Sequence, residues 1–261
     1  MNKNLNDYKM KIACIYSGSP KSKEAFDIID NMYSLNSIEE ADVIVVLGGD
    51  GFLLQTLHQR PDLDKPIYAM NRGTIGFLLN EFSEENLLDR IKNSRDIFLC
   101  PITMEATNTD GDKKVYKAFN EVSVLRYSAQ SANLKIKVDG EIALDHLSCD
   151  GILVSTPAGS TAYNLSAHGP IIPLNSNLLA LTPVSPFRPR RWKGALLPNT
   201  SVIEIENLDP IKRPIGSAAD SMEIKNAVHI KVWQDKQDKR HLLFDSEQSL
   251  EDRIMFEQFK S

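Results

Sequence analysis

The chain has little of what marks several common functional classes. Its 261 residues include only three cysteines, Cys14, Cys100 and Cys149, and none stands at C-x-x-C or metal-ligand spacing. A structural zinc, a dithiol redox centre and a disulfide framework are therefore not expected; buried free thiols in a reducing compartment are. The five histidines (58, 146, 168, 229 and 241) include no H-x-x-x-H pair, so no histidine metal site is expected. No uncharged apolar run approaches the roughly 18–20 residues of a membrane-spanning helix. The polar stretch from Met1 to Lys11 lacks the apolar centre of a signal peptide, and the expectation is a cytoplasmic protein with no membrane partner. Positive charge is not in excess: Lys and Arg total 30 against 35 Asp and Glu, a net charge of −5, which speaks against a general nucleic-acid binder but not against a local basic pocket. No G-x-G-x-x-G follows an apolar run and no G-x-S-x-G occurs. Gly18-Ser19-Pro20-Lys21-Ser22 lacks Walker spacing, and Pro20 removes a backbone N–H that such a loop would use.

What is present has a clear rhythm. Residues 11–16, 42–47 and 66–70 read as apolar strands, separated by helical patterns over 23–33, 52–59 and, further on, 84–91. Such alternation predicts a parallel α/β sheet whose ligands lie beyond the carboxyl ends of the strands. From about residue 97 to about 234 the texture changes to alternating, β-branched segments, with turn signals at Asp110-Gly111, Asp139-Gly140 and Asp150-Gly151. A hairpin is expected where Lys135-Ile136-Lys137-Val138 meets Asp139-Gly140. The predicted fold class is an α/β N-terminal domain (1–98) plus a β-rich, sandwich-like C-terminal domain (99–235). A final segment, 236–261, carries a helical pattern over 250–259 and is able to pack back on the first domain.

Four segments carry chemistry. In Val43-Ile44-Val45-Val46-Leu47-Gly48-Gly49-Asp50-Gly51-Phe52 a buried strand stops at three glycines around one carboxylate, then restarts at helical spacing. Bare backbone at such a switch suits a phosphate, and Asp50 could take a proton or steer a metal. Residues 71–78 place Arg72, Gly73 and Gly76 just past the third strand, at the same expected ligand edge. Asn120-Glu121 joins an amide to a carboxylate suited to vicinal ribose hydroxyls, though strand neighbours face opposite sides and a bulge or strand end would be needed. In Asp150–Ser166 a strand runs into hydroxyl-rich backbone where Ala158 and Ala162 leave room for a flat base and Tyr163 offers a ring. Taken alone, this last stretch reads equally well as a helix capped by Ser160 or Thr161. Arg188-Pro189-Arg190-Arg191 reads as a solvated basic loop.

Taken in order, these segments resemble those of the NAD kinases. Asp50 stands in a GGDG motif, residues 71–78 (NRGTIGFL) are similar to N-x-G-x-x-G-F-L, and Asn120-Glu121 matches an N-E pair. Residues 150–166 (DGILVSTPAGSTAYNLS) match D-G…S-T-P-x-G-S-T-A-Y. GGDG alone is shared with lipid kinases and phosphofructokinases; the four together cover most of the chain. The resemblance implies a two-domain fold with substrate at the junction, and ATP-dependent phosphorylation of NAD at the adenosine ribose 2′-hydroxyl to give NADP. It implies Asp50 as general base, and Asp50, Gly51, Asn120, Glu121, Asp150, Ala158, Thr161, Ala162, Tyr163, Asn164, Leu165 and Ser166 against NAD. Gly48, Gly49 and Gly51 line the phosphate side, and Arg72 and Gly73 fall there with them. It also implies a divalent metal such as Mg²⁺ held mainly by phosphates, no protein metal cage, and a homodimer or homotetramer. An acidic chain is compatible, because backbone N–H groups and the metal take up phosphate charge.

There are three departures from the family pattern. His168-Gly169-Pro170 replaces the usual Gly-Gly-Pro, Asp220-Ser221 replaces a D-G pair, and Ser148 stands where many members carry a basic residue. Two other classes share some of these features: a lipid or sugar kinase on the same glycine-Asp turn, and a non-enzymatic dinucleotide-binding regulator. The Tyr163 segment and the lack of an amphipathic membrane-binding helix count against the first, and Asp50 counts against the second.

Overall fold

The computed structural model describes residues 10–60, 64–74 and 76–246; the helical pattern over 250–259 lies outside them. The chain divides into two compact units, residues 1–98 with 240–261 and residues 99–239. The first contains β1 (Ile12–Tyr16), α1 (Pro20–Met32), β2 (Val43–Gly48), α2 (Asp50–Gln59), β3 (Ile67–Asn71), α3 (Leu87–Lys92) and β4 (Arg95–Leu99). The second runs through β5 (Ile102–Asn108), β6 (Lys113–Ala118), β7 (Glu121–Arg126), β8 (Ala132–Val138), β9 (Glu141–Cys149) and β10 (Gly151–Ser155). It continues with α4 (Tyr163–Ser166), β11 (Leu178–Val184), β12 (Ala195–Pro198), β13 (Ile203–Asn207), β14 (Ile215–Ala219), β15 (Met222–Ile224) and β16 (Ala227–Gln234). Then β17 (Arg240–Phe244) returns to the first unit.

In the first unit β1, β2 and β3 pair in parallel, and the sheet order is β1-β2-β3-β17-β4. Every residue of β2 is buried, as expected of an apolar run covered on both faces. The Ser19 hydroxyl accepts the Ser22 N–H at 3.2 Å and Pro20 follows as the first helical residue, so α1 opens at a well-formed cap. Ala25 and Ile29 of that helix pack with Val43, Val45 and Tyr68. α3 begins at Leu87, later than the pattern from residue 84 predicts, because Asn86 turns through a left-handed φ of 52°.

The strand β17 was not legible as a separate element. It is fastened through Asn80, whose side chain donates to the Leu243 carbonyl at 2.9 Å and accepts the Asp245 N–H at 2.8 Å. Asp245 also takes the Tyr68 hydroxyl and a 2.6 Å ion pair from Arg90.

The second unit is β-rich, with two six-stranded antiparallel sheets ordered β12-β11-β10-β7-β14-β15 and β6-β5-β16-β13-β8-β9. Val124, Ile152 and Val154 from the first and Ile136, Ile205 and Ile230 from the second belong to one core, the interior of a sandwich. The expected hairpin is present: Val138 pairs with Glu141 across Asp139 (φ 52°) and Gly140 (φ 86°). Asp150-Gly151, read as a turn signal, is not one. Gly151 opens β10 between Leu125 and Val184, and a Cβ there would lie 2.3 Å from the Val124 carbonyl oxygen, so its glycine serves a close backbone approach.

Cys14, Cys100 and Cys149 are free, and burial pushes the thiols of Cys14 and Cys149 up to about 12. Among the described residues no helix is long and apolar enough to cross a membrane.

Candidate active site

Three loops of the first unit follow the carboxyl ends of β1, β2 and β3 and are bonded to one another. The Ser17 N–H donates to the Leu47 carbonyl at 2.9 Å, and the Arg72 N–H donates to the Gly48 carbonyl at 2.7 Å. Arg72 Nε reaches the Lys21 carbonyl at 3.1 Å, while its guanidinium lies 4.3 Å from the centre of the Phe82 ring. Asp50 is the first residue of α2, where a carboxylate also suits the helix dipole. Its Oδ2 accepts the Phe77 N–H at 2.8 Å and its Oδ1 the Leu78 N–H at 3.0 Å. The glycine-Asp turn and the 71–78 segment, separate in sequence, are therefore one structure.

The glycines of that turn differ in what they do. A Cβ on Gly48 would strike the Phe52 side chain at 2.7 Å, and one on Gly73 would lie 3.2 Å from the Gly49 Cα. Packing explains both. A Cβ on Gly51 would meet nothing within 4 Å, and its backbone needs no left-handed φ. Neither packing nor conformation demands glycine at 51; an exposed N–H in the first turn of a helix, open to a phosphate, would.

In the second unit Phe119 and Asn120 form a bend, and Glu121 starts β7, so the pair sits at the strand end that its chemistry requires. The Asp220 carboxylate accepts three successive amides there: Phe119 at 2.8 Å, Asn120 at 3.0 Å and Glu121 at 3.2 Å. From the other side the Thr156 hydroxyl donates to the Phe119 carbonyl and its N–H to the Asn120 carbonyl, at 2.5 and 2.9 Å. The short 3₁₀ turn Ala158–Thr161 lies directly against this bend, since a Cβ on Gly159 would fall 2.2 Å from the Asn120 carbonyl oxygen. Glu121 Oε2 is buried with no hydrogen-bond partner. Burial first, and the Asp220 charge second, push the Glu121 carboxyl up to about 7.

The 158–166 segment folds otherwise than a capped helix. Ser160 is spent internally, donating to the Pro157 carbonyl at 2.7 Å and accepting the Ile172 N–H at 3.0 Å. The N-cap of α4 is Ala162, with no side-chain cap bond, so neither Ser160 nor Thr161 caps it. Asn164 ties the segment together from inside. Fully buried, it donates to the carbonyls of Ser160 (3.2 Å) and Pro170 (2.8 Å) and accepts the Thr182 hydroxyl at 2.6 Å. Both amide hydrogens and one lone pair of its Oδ1 are thus engaged within the segment. Ala158 is buried, Thr161, Ala162 and Leu165 are half-buried, and Tyr163 and Ser166 are exposed.

Asp150 sits between β9 and β10 in a 2.6 Å ion pair with Arg126. Ser148 donates to the Asn133 side chain at 3.0 Å, an inward role unlike that of a basic residue. His168 occupies a left-handed φ of 63°, so its side chain does stand where the chain turns. Asp220, Thr156, Gly159 and Arg126 were not singled out from the sequence as site residues. Thr156 and Gly159 do lie in the matched 150–166 segment, and Asp220 in the Asp220-Ser221 pair that stands in place of D-G.

The family model described as the ATP-NAD kinase N-terminal domain matches residues 2–93, and the ATP-NAD kinase C-terminal domain matches residues 119–243. A relative named NAD kinase from Zymomonas mobilis is 48% identical over 252 residues, covering 96% of this chain and 98% of its own. One from Rhizobium meliloti is 49% identical over 250 residues, covering 96% and 97%. Among solved structures, yeast NADH kinase complexed with NADH aligns with a TM-score of 0.80 at 21% identity, over 96% of this chain and 87% of its own. An NAD kinase from Archaeoglobus fulgidus in complex with ATP aligns with a TM-score of 0.72 at 24% identity, over 95% and 98%. With both halves matched by the family's two domain models and nearly the whole length shared at almost half identity, the chain belongs to the ATP-NAD kinase family.

Proposed function

We propose that the chain transfers the γ-phosphoryl group of ATP to the 2′-hydroxyl of the adenosine ribose of NAD, giving NADP and ADP. The observation that carries the dinucleotide assignment is Glu121. A buried carboxylate oxygen without a partner, beside Asn120, is an acceptor that a ribose hydroxyl would satisfy. Asn120 and Glu121 bind the adenosine side, with Asp150, Ala158, Thr161, Ala162, Tyr163, Leu165 and Ser166 as further contacts; Asn164 supports them from beneath. Asp50 accepts the 2′-hydroxyl proton as that oxygen attacks the γ-phosphorus and the bond to the departing ADP oxygen breaks. A positioned base of this kind contributes about 10²–10⁴ in rate. The N–H groups around Gly49 and Gly51, with the Arg72 charge, stabilise the phosphates.

Among the described residues no group of three or more His, Cys, Asp or Glu could hold a metal ion. A divalent ion such as Mg²⁺, bound with ATP through its phosphate oxygens, would neutralise phosphate charge. We further infer a homodimer or homotetramer, supported by exposed Ile142 on β9 and Leu196 on β12, each an edge strand of its sheet; sedimentation of a single monomeric species would refute it. Three free thiols fit a reducing cytoplasm.

The functional test is the purified protein with ATP, Mg²⁺ and NAD, read by a dehydrogenase that accepts only NADP. Formation of NADP is expected. Bound NAD without any NADP would make the chain a regulator, and phosphorylation of a lipid or sugar but not of NAD would make it another kinase.

A further inference from the structure

We propose that Asp220 is the positioning residue of the Asn120–Glu121 pair: from the tip of the β14–β15 hairpin its carboxylate gathers the N–H groups of Phe119, Asn120 and Glu121 and holds the bend that lets two sequence neighbours serve one dinucleotide. The inference rests on Asn120 and Glu121 binding NAD, as proposed above. Adjacent side chains in a strand face opposite sides, so the pair can share a ligand only where the strand ends. Successive amides converging on one anion form a concave nest. Here the anion is built into the chain. The exchange is reciprocal, because the Asp220 N–H donates back to the Glu121 carbonyl at 3.1 Å. Thr156 holds the carbonyls of the same bend, so it is gripped from both sides.

The hairpin turn is built on one left-handed residue. Ala219 pairs with Met222, leaving Asp220-Ser221 as a two-residue turn in which Asp220 adopts a φ of 48°. Glycine suits that conformation best, and Asp and Asn tolerate it better than most other residues. Only a residue with an acceptor side chain can also clamp the amides.

The clamp has an electrostatic consequence. Glu121 is flanked by β10 and β14, whose sequences GILVS and IGSAA contain no ionisable side chain. Glu223 on β15 is engaged by the Tyr127 hydroxyl. Asp220 is thus the charge that acts on Glu121, adding to burial in holding its carboxyl near 7. A ribose hydroxyl donates to the ionised form, so NAD affinity falls as pH drops below that value.

The test pairs Asp220→Asn with Glu121→Gln, measuring the NAD dissociation constant by calorimetry and kcat and KM for both substrates between pH 5.5 and 8.5. Asparagine keeps the shape and tolerates the turn, but it presents an NH₂ group to amides that need an acceptor. For Asp220→Asn at pH 8 we expect the NAD dissociation constant and KM to rise about tenfold, with kcat and the ATP KM nearly unchanged. Its acid limb should move to lower pH by about one unit, so the defect shrinks at pH 6. Glu121→Gln should weaken NAD binding and abolish the limb. The positioning role is overturned if Asp220→Asn binds NAD like wild type, or if both KM values and kcat deteriorate together with the limb unmoved. If Glu121→Gln leaves NAD affinity and the limb intact, it is the Glu121 assignment that fails.

Discussion

Gly51→Ala should make the protein more stable and less active. The added methyl meets no protein atom within 4 Å and the backbone needs no positive φ. Gly51 is the second residue of the ten-residue α2, so alanine gains helix propensity and removes unfolded-chain entropy. The expected gain is about 0.4–1 kcal/mol, which for a chain of this size raises Tm by about 1–4 °C. The same methyl would occupy the space through which a phosphate oxygen approaches the α2 N-terminus. Losing one hydrogen bond to a charged group costs about 1.5–3 kcal/mol, or roughly ten- to a hundredfold in kcat/KM for ATP. Thermal melting without ligand and steady-state kinetics at varied ATP measure the two effects. A variant with raised Tm and undiminished kcat/KM for ATP would refute the assignment of Gly51 to the phosphate side.

Gly159→Ala is the opposite case, because its Cβ would need more than about 1 Å of backbone separation to clear the Asn120 carbonyl. We expect a loss of about 2–4 kcal/mol from overpacking and the broken Thr156–Asn120 bond, together with a raised KM for NAD; normal stability would show that the turn does not lie against the bend. Glu121→Gln tests the buried carboxyl through stability. A folded-state pKa raised above the unfolded 4.5 means the fold is penalised as pH climbs from 4.5 through about 7. The substitution should therefore raise Tm at pH 8, by at most about 3 kcal/mol in stability, and change little at pH 4.5. An equal shift at both pH values would contradict the burial of that charge.

Local features were legible in the sequence. The fully apolar 43–47 run needs no distant partner to be recognised as a parallel strand. Asp139-Gly140 sets its own hairpin because two left-handed residues suffice. Features made by distant residues were hidden. β17 is a five-residue strand whose place between β3 and β4 depends on Asn80, Tyr68 and Arg90. Within the site, Asn120-Glu121 and Asp50 are recognisable as residue types, but not how they are held. Asp220 lies about a hundred residues from the amides it clamps, and Phe77 and Leu78 lie 27 and 28 residues from the Asp50 oxygens they hold. Asn164 is recognisable as a motif residue, but only folding shows Ser160, Pro170 and Thr182 closing around its amide.

The central claim is that Asp50 takes the proton from the ribose hydroxyl, and Asp50→Asn tests it most directly. Both Asp50 oxygens accept backbone N–H groups, so the new NH₂ must face one of them, at a stability cost of about 1–3 kcal/mol. The measurement is therefore made well below the variant's own Tm, with NAD binding and NADP formation followed on the same preparation. We predict an NAD dissociation constant near that of wild type and a turnover lower by about 10²–10⁴. Turnover within a few-fold of wild type, with NAD bound as before, would contradict Asp50 as the base.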